Sequence, residues 1–197
     1  MQLLIDSLYS KYLLWLLLAL PAVPIVADFV INNRYYSEMM YDSGVWSVQL
    51  LLLALSITPI NQLLNYFSVN KNIGRWLLQR RRSFGVFSFV YAVIHLALYL
   101  RESGDFYTVY DEALSISLGF AWLAFLLFIL LALTSNNTSM KLLGKKWKLL
   151  QRLAYIIAVA TFIHWLSLQL FFQLGLLLLL LLVLAKVVQL TVYVLRH

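Results

Sequence analysis

Apolar residues in this chain fall into six long blocks separated by short polar stretches, at approximately 12–31, 46–67, 84–100, 113–134, 149–168 and 171–195. A helix needs about 20 mostly apolar residues to cross the hydrocarbon core of a bilayer. No block alternates with period two, which argues against a transmembrane β-barrel. The pattern therefore predicts an all-α integral membrane protein, a bundle of six transmembrane helices forming one domain over 1–197. The leucine run at 176–182 is simply compatible with lipid.

Composition sharpens this picture. Of the 197 residues 63% are hydrophobic and only 12% charged, against about 25% charged in soluble chains. That excludes disorder and a collagen-like chain, and a net charge of +7 built on so few charges does not mark a nucleic-acid partner. With no cysteine, disulfides, iron–sulfur ligation, thiolate zinc sites and covalent haem attachment are all excluded.

The sparse charges are sorted by loop. Lys71, Arg75, Arg80, Arg81 and Arg82 stand between blocks two and three, and Lys141, Lys145, Lys146 and Lys148 between four and five, with Arg152 just beyond. The other loops are acidic: Asp28, Glu38 and Asp42 accompany Arg34, and Glu102, Asp105, Asp111 and Glu112 accompany Arg101. Lys and Arg near a span resist translocation, so the basic loops are expected on the cytoplasmic side and the chain is expected N-in and C-in. A second reading takes the start as a cleavable signal peptide, with Lys11 before an apolar run and Ala27 as cleavage residue. Asp6 upstream and the bulky Ile25 argue against it, and cleavage would leave the other spans as described.

Ionisable groups inside spans are expensive and point to function. Two histidines qualify. His95 lies six residues before Arg101 and His164 a similar distance before the end of its block near Gln169, so at ~1.5 Å per residue both sit about 9 Å below the same face. Two imidazoles meeting at one depth can supply both axial ligands of a haem b, a site that transfers electrons because no coordination position is open to oxygen. The same pair could instead hydrogen-bond across helices without any cofactor. A bare metal held by two histidines is short of ligands. Tyr91 and Tyr99, four residues either side of His95, could line a porphyrin or simply pack. Gly85 and Gly119 could admit a cofactor to the backbone or mark close helix contacts. Arg80, Arg81 and Arg82 read as topological charge facing anionic lipid, or as the approach for a flavoprotein or quinol. Lys186 can snorkel, and no role falls to His197. The sequence carries no phosphate-binding glycine loop, no Ser-His-Asp order and no intramembrane carboxylate pair, so hydrolysis and ion-coupled transport lack candidates. Tyr35, Tyr36, Tyr41, Phe106, Tyr107 and Tyr110 among the acidic groups offer either a docking surface or headgroup anchors.

Several segments resemble one family. They are Ser43-Gly44-Val45-Trp46, Ile57-Thr58-Pro59 closing block two, Arg81-Arg82-Ser83-Phe84-Gly85, His95-Leu96-Ala97-Leu98-Tyr99, Leu133-Thr134-Ser135, Leu143-Gly144-Lys145-Lys146-Trp147, Leu150-Gln151-Arg152-Leu153-Ala154-Tyr155 and His164. Their order and spacing over about 43–170 resemble the MsrQ (YedZ-like) haem-binding membrane subunits of the ferric-reductase-like transmembrane superfamily. The resemblance implies a bacterial inner-membrane electron conduit, an electron-transfer subunit and not the catalytic one. It would take electrons from quinol or a cytoplasmic flavin reductase, with FMN or quinone as a further cofactor. It would feed MsrP, a periplasmic molybdenum-cofactor enzyme that reduces methionine sulfoxide in proteins. The family's ligands fall on His95 and His164. A stand-alone ferric reductase-like cytochrome and a non-redox helical scaffold or transporter remain the alternatives.

One departure bears on the number of haems. The family usually has a further histidine where this chain has Gln151. In two-haem relatives an inner ligand precedes the outer one by 13 or 14 residues, which here falls on Arg81 or Arg82 and on Gln151 or Leu150. Arginine stays protonated and cannot ligate iron. One stably held haem is therefore expected, with a labile second as the alternative, and Gln151, Arg81 and Arg82 are expected beside a donor entrance.

Overall fold

The computed structural model describes residues 2–31, 36–68 and 71–167, with positions 180, 183, 187, 190 and 191 beyond them. The sixth block apart from those positions, Arg34, Tyr35, Gln169, Lys186 and His197 lie outside the described residues. All regular structure among the described residues is helical: α1 (Gln2–Ala19), α2 (Ala22–Ile31), α3 (Tyr36–Tyr66), α4 (Lys71–Ser103), α5 (Phe106–Ala113), α6 (Ile116–Leu133), α7 (Asn137–Leu143), α8 (Lys145–Gln151) and α9 (Leu153–Ser167).

Four stretches are long and apolar enough to cross a membrane: α3, α4, α6, and α8 with α9 taken together. α1 and α2 make a fifth if counted as one broken span, bent by 41°. Pro21 sits in that break and Pro24 in the first turn of α2, where a missing N–H costs least. The protein is thus a multi-pass helical membrane protein.

Several boundaries differ from those read off hydropathy. Arg75 and Arg80 to Arg82, read as loop, lie inside α4, because arginine is a good helix former and hydropathy marks only where a helix meets lipid. Block two likewise starts ten residues earlier as helix, and Pro59 does not close it, since α3 continues to Tyr66. A proline inside a membrane helix is tolerated when neighbours re-bond the freed groups. The carbonyl that Pro59 frees is Leu55 O, and Arg81 braces the residues beside it, its Nε donating to Ala54 O at 3.0 Å and its Nη1 to Thr58 Oγ1 at 3.1 Å. Block four starts three residues later as helix, at Ile116, where Ser115 caps α6 through Leu118 N–H, and the acidic loop before it holds the short α5, capped by Asp105 through Thr108 N–H.

α3 and α4 form an antiparallel pair with a strict register. Ser47 Oγ donates to Ser88 O at 3.0 Å and Ser88 Oγ returns a bond to Ser47 O at 2.7 Å, both buried. Seven residues along each helix one way, His95 meets Met40; seven the other way, Arg81 meets Ala54; seven further, the small Gly74 lies against Asn61. A seven-residue repeat of small and polar contacts keeps one face of each helix against the other along the pair, where small residues let the backbones approach.

α6 and α9 form the second pair, packed on α3 through Leu51, Leu55, Phe128, Leu131 and Ile157. A second cluster, Ile25, Met39, Leu50, Ala54, Ile57, Phe84 and Tyr91, joins α2 to the other side of α3 and α4. Large side chains such as Val93, Leu126 and Val159 stay exposed on the bundle's outside, as a lipid-facing surface requires. The charge sorting survives in three dimensions. Arg82 Nη1 donates to Asn137 Oδ1 at 2.9 Å, which brings the two basic segments to one end, while Tyr99 and Glu112 bond at the acidic end.

Candidate functional site

Near the acidic end the two helix pairs diverge around a cavity of about 880 Å³, within the roughly 300–1,000 Å³ range of small-molecule and cofactor pockets. Small residues on three helices make the space: Gly44 and Ser47 on α3, Ala92 on α4, Ala121 and Ala124 on α6. Trp122, Phe125, Phe128 and Trp165 supply apolar walls.

His95 and His164 both line this cavity, from α4 and α9. Their ring centroids are 6.5 Å apart and their planes cross at 78°. The matched depth expected from counting residues along two helices is therefore an encounter of the two rings. His95 Nδ1 lies 2.7 Å from Met40 O. His164 Nδ1 lies 3.0 Å from Ser117 O and 3.1 Å from Ser117 Oγ, whose hydroxyl also reaches His164 O at 3.3 Å. A carbonyl only accepts, so each Nδ1 carries the proton and donates, leaving Nε2 with the lone pair. Neither Nε2 is hydrogen-bonded among the described residues. Anchoring one ring nitrogen on a carbonyl while the other is presented is the usual support for a metal-ligating histidine.

The separation can be tested against a shared metal. With a metal–imidazole bond of about 2 Å and a ring nitrogen roughly 1.1 Å from the ring centre, two axial imidazoles on one ion have centroids roughly 6 Å apart. The observed 6.5 Å fits that geometry. Among the described residues no group of three or more His, Cys, Asp or Glu is placed to hold a metal by protein ligands alone. The donor set, two imidazoles beside a wide apolar cavity, fits a haem.

The other candidates divide. Tyr99 lines the cavity, and its hydroxyl donates to Glu112 Oε2 at 2.7 Å. Tyr91 does not line it; fully buried, it donates to Leu18 O at 2.9 Å and stacks on Trp46, because position 91 faces α1 and α3. Arg81 and Arg82 are engaged at the basic end as described, and Gln151 ends α8 there with its Nε2 buried and without a hydrogen-bond partner among the described residues. None of these three lines the histidine cavity. Gly85 has open space around it and Gly119 lies against Ala113 O; the glycine at the site is Gly44. Outside the spans, Asp105 accepts from the Thr108 backbone N–H and then from its hydroxyl, which holds the carboxyl below its ordinary pKa.

Met40, Gly44 and Ser117 are site residues that hydropathy and spacing did not single out. A signal existed for Met40, because Gly74, Arg81, Ser88 and His95 recur every seven residues, as do Met40, Ser47, Ala54 and Asn61; Gly44 stands one turn after Met40, outside that repeat. Ser117 follows the cap Ser115 and is distinguished only by what it faces.

Comparison with known proteins agrees with this architecture. The protein-methionine-sulfoxide reductase heme-binding subunit MsrQ of Brucella anthropi is 29% identical over 172 residues, covering 79% of this chain and 70% of that protein. The subunits of the same name from Xanthomonas axonopodis pv. citri and Herminiimonas arsenicoxydans are 36% and 35% identical over 133 and 132 residues. Those two alignments cover 65% and 63% of this chain, which spans 56% and 55% of the relatives' length. No solved structure matches. The family described as ferric reductase like transmembrane component matches residues 43–162, a stretch that contains Gly44, His95 and Ser117, and a match over more than half of the chain makes this protein a member of that family.

Proposed function

We propose that the protein is a haem b electron-transfer subunit of the membrane, with His95 and His164 as the two axial ligands. The observation that carries this reading is the pair of imidazoles 6.5 Å apart, each anchored through Nδ1 on a neighbouring helix, at the wall of a cavity of cofactor size. A haem held there by His95 and His164 would supply one-electron redox chemistry. The chain does the rest. Met40 O and Ser117 fix the tautomer and direction of the two rings. Trp122, Phe125 and Phe128 exclude water and lower the local dielectric, which tunes the potential. The bond between Tyr99 and Glu112 closes polar groups against each other at the cavity wall.

The relatives' name places them in a protein-methionine-sulfoxide reductase system. On that likeness the acceptor is a periplasmic molybdoenzyme of the MsrP type, and the donor is quinol or a cytoplasmic flavin reductase, FMN or quinone carrying electrons in. The basic end faces the cytoplasm by the positive-inside rule, in an inner membrane crossed six times with both termini inside. The acidic end, with Glu38, Asp42 and the exposed Phe106, Tyr107 and Tyr110, then faces the acceptor.

Detergent-purified protein should be red, with a Soret band and, on reduction, the α and β bands of a low-spin haem. A colourless protein after expression with ample haem refutes the reading. Membranes containing it should support quinol- or flavin-driven methionine sulfoxide reduction by added MsrP; failure while the haem remains reducible refutes that partner alone.

A further inference from the structure

Gly44 stands on α3 one turn after Met40 and lies against the ring of His95. A Cβ built on it would be 3.0 Å from His95 Nδ1 and 3.1 Å from His95 Cε1. Both atoms belong to the ring edge that donates to Met40 O at 2.7 Å. The imidazole edge therefore rests on α3 at two successive turns, on a carbonyl and on a bare α-carbon. Nothing in the backbone asks for glycine at 44, which sits inside a regular helix, where alanine is the better helix former. The same added atom at Gly85, on the helix that carries His95, would meet nothing within 4 Å.

We propose that Gly44 is a positioning residue for His95: by carrying no side chain it lets the imidazole edge seat on α3, and that seat directs Nε2 at the position shared with His164. The inference rests on the haem reading above. A methyl group at 44 would push the ring off Met40 O by a few tenths of an ångström or tilt it. His95 Nε2 would then be displaced from the position it shares with His164. His164 is held differently, by the carbonyl and hydroxyl of Ser117, so its seat is untouched by a change at 44.

The test compares Gly44→Ala with Gly85→Ala in the full chain, each also in a His95→Ala background. Gly44→Ala is expected to show a partly high-spin Soret band, a changed largest g value in the electron paramagnetic resonance spectrum, and haem loss to apomyoglobin about tenfold faster, the lower end of what an outer-shell change costs. Gly85→Ala should match the parent. In haem-free protein, Gly44→Ala should lower the thermal midpoint when His95 is present and leave or raise it when His95→Ala has removed the ring. Should Gly44→Ala fail to accumulate, recovery of folded protein in Gly44→Ala/His95→Ala supports the proposal and continued failure overturns it. An unchanged spectrum and rate of haem loss overturn it as well, as does an equal thermal penalty with and without His95. A parent protein that never binds haem refutes the haem reading, and the thermal comparison still decides the contact.

Discussion

At the acidic end of the α3–α4 seam the register contact is an imidazole on a carbonyl, His95 on Met40; fourteen residues away at the basic end it is a guanidinium on a carbonyl, Arg81 on Ala54. The same heptad geometry thus carries two chemistries. At the first position small neighbours and a second histidine leave a cavity, and the nitrogen away from the carbonyl keeps its lone pair. At the second, every guanidinium nitrogen is a donor, Nε and Nη1 bond to Ala54 O and Thr58, and among the described residues no imidazole stands opposite. A helix seam repeats its geometry cheaply; whether a repeat becomes a ligand site depends on the residue type placed there and on the space beside it.

The largest effect that would break this contrast is loss of the cofactor. His95→Ala or His164→Ala should remove an axial ligand and lose most bound haem while the protein still inserts, since one uncharged position hardly alters span hydrophobicity. Full haem occupancy with an unchanged low-spin spectrum in both variants would refute the ligand pair. Next is stoichiometry. The pyridine haemochrome of gel-filtered protein should give close to one haem per chain, and two retained haems would mean that Gln151 and its neighbours at the basic end ligate after all. Topology comes third. With no native cysteine, Ser103→Cys should react with an impermeant thiol reagent in intact cells and Ser139→Cys should not; the reverse pattern inverts the two ends.

Smaller effects probe the seam and the loop. Ser47→Ala and Ser88→Ala each delete one bond of the reciprocal pair, which in membrane proteins is worth ~0.6 kcal/mol on average. Their combination should be coupled when thermal midpoints are compared, and strictly additive losses would show that the two serines do not act as one contact. The least effect belongs to Asp105. Its folded pKa is depressed by Thr108, so the cap's contribution to α5 is present above the unfolded pKa and fades as pH falls through the folded one. Asp105→Asn should keep the cap and flatten that acid-side change in the local hydrogen exchange of α5; an unaltered pH dependence would assign it to another group.

Much of this was legible without coordinates, and the reason differs from residue to residue. Hydropathy located α3, α4, α6 and α9 because lipid contact is paid in apolar residues wherever a span lies. It misplaced their ends because helix continues past the membrane: Arg75 to Arg82 are helical in α4, and Pro59 is carried inside α3. Counting along two helices paired His95 with His164 since rise per residue fixes depth. The four-residue spacing put Tyr91 and Tyr99 on the face of His95, and for Tyr91 it failed, because four residues overshoot a 3.6-residue turn by about 40° and the two tyrosines diverge to opposite sides: Tyr91 faces Leu18 and Trp46.

The sequence by itself determined the solvent and the inventory: a helical membrane chain, two intramembrane imidazoles, no thiols, and charges divided between two ends. These follow from transfer free energies and from side-chain chemistry, which belong to single residues. Only the tertiary structure decided that the two imidazoles face one another, that Met40 and Ser117 hold their protons, that Gly44 leaves room for a ring, and that Arg81 bonds to Ala54 and Thr58. Those outcomes depend on how helices rotate and cross, and the rotation is set jointly by small residues and reciprocal polar contacts on partners dozens of positions apart in the chain.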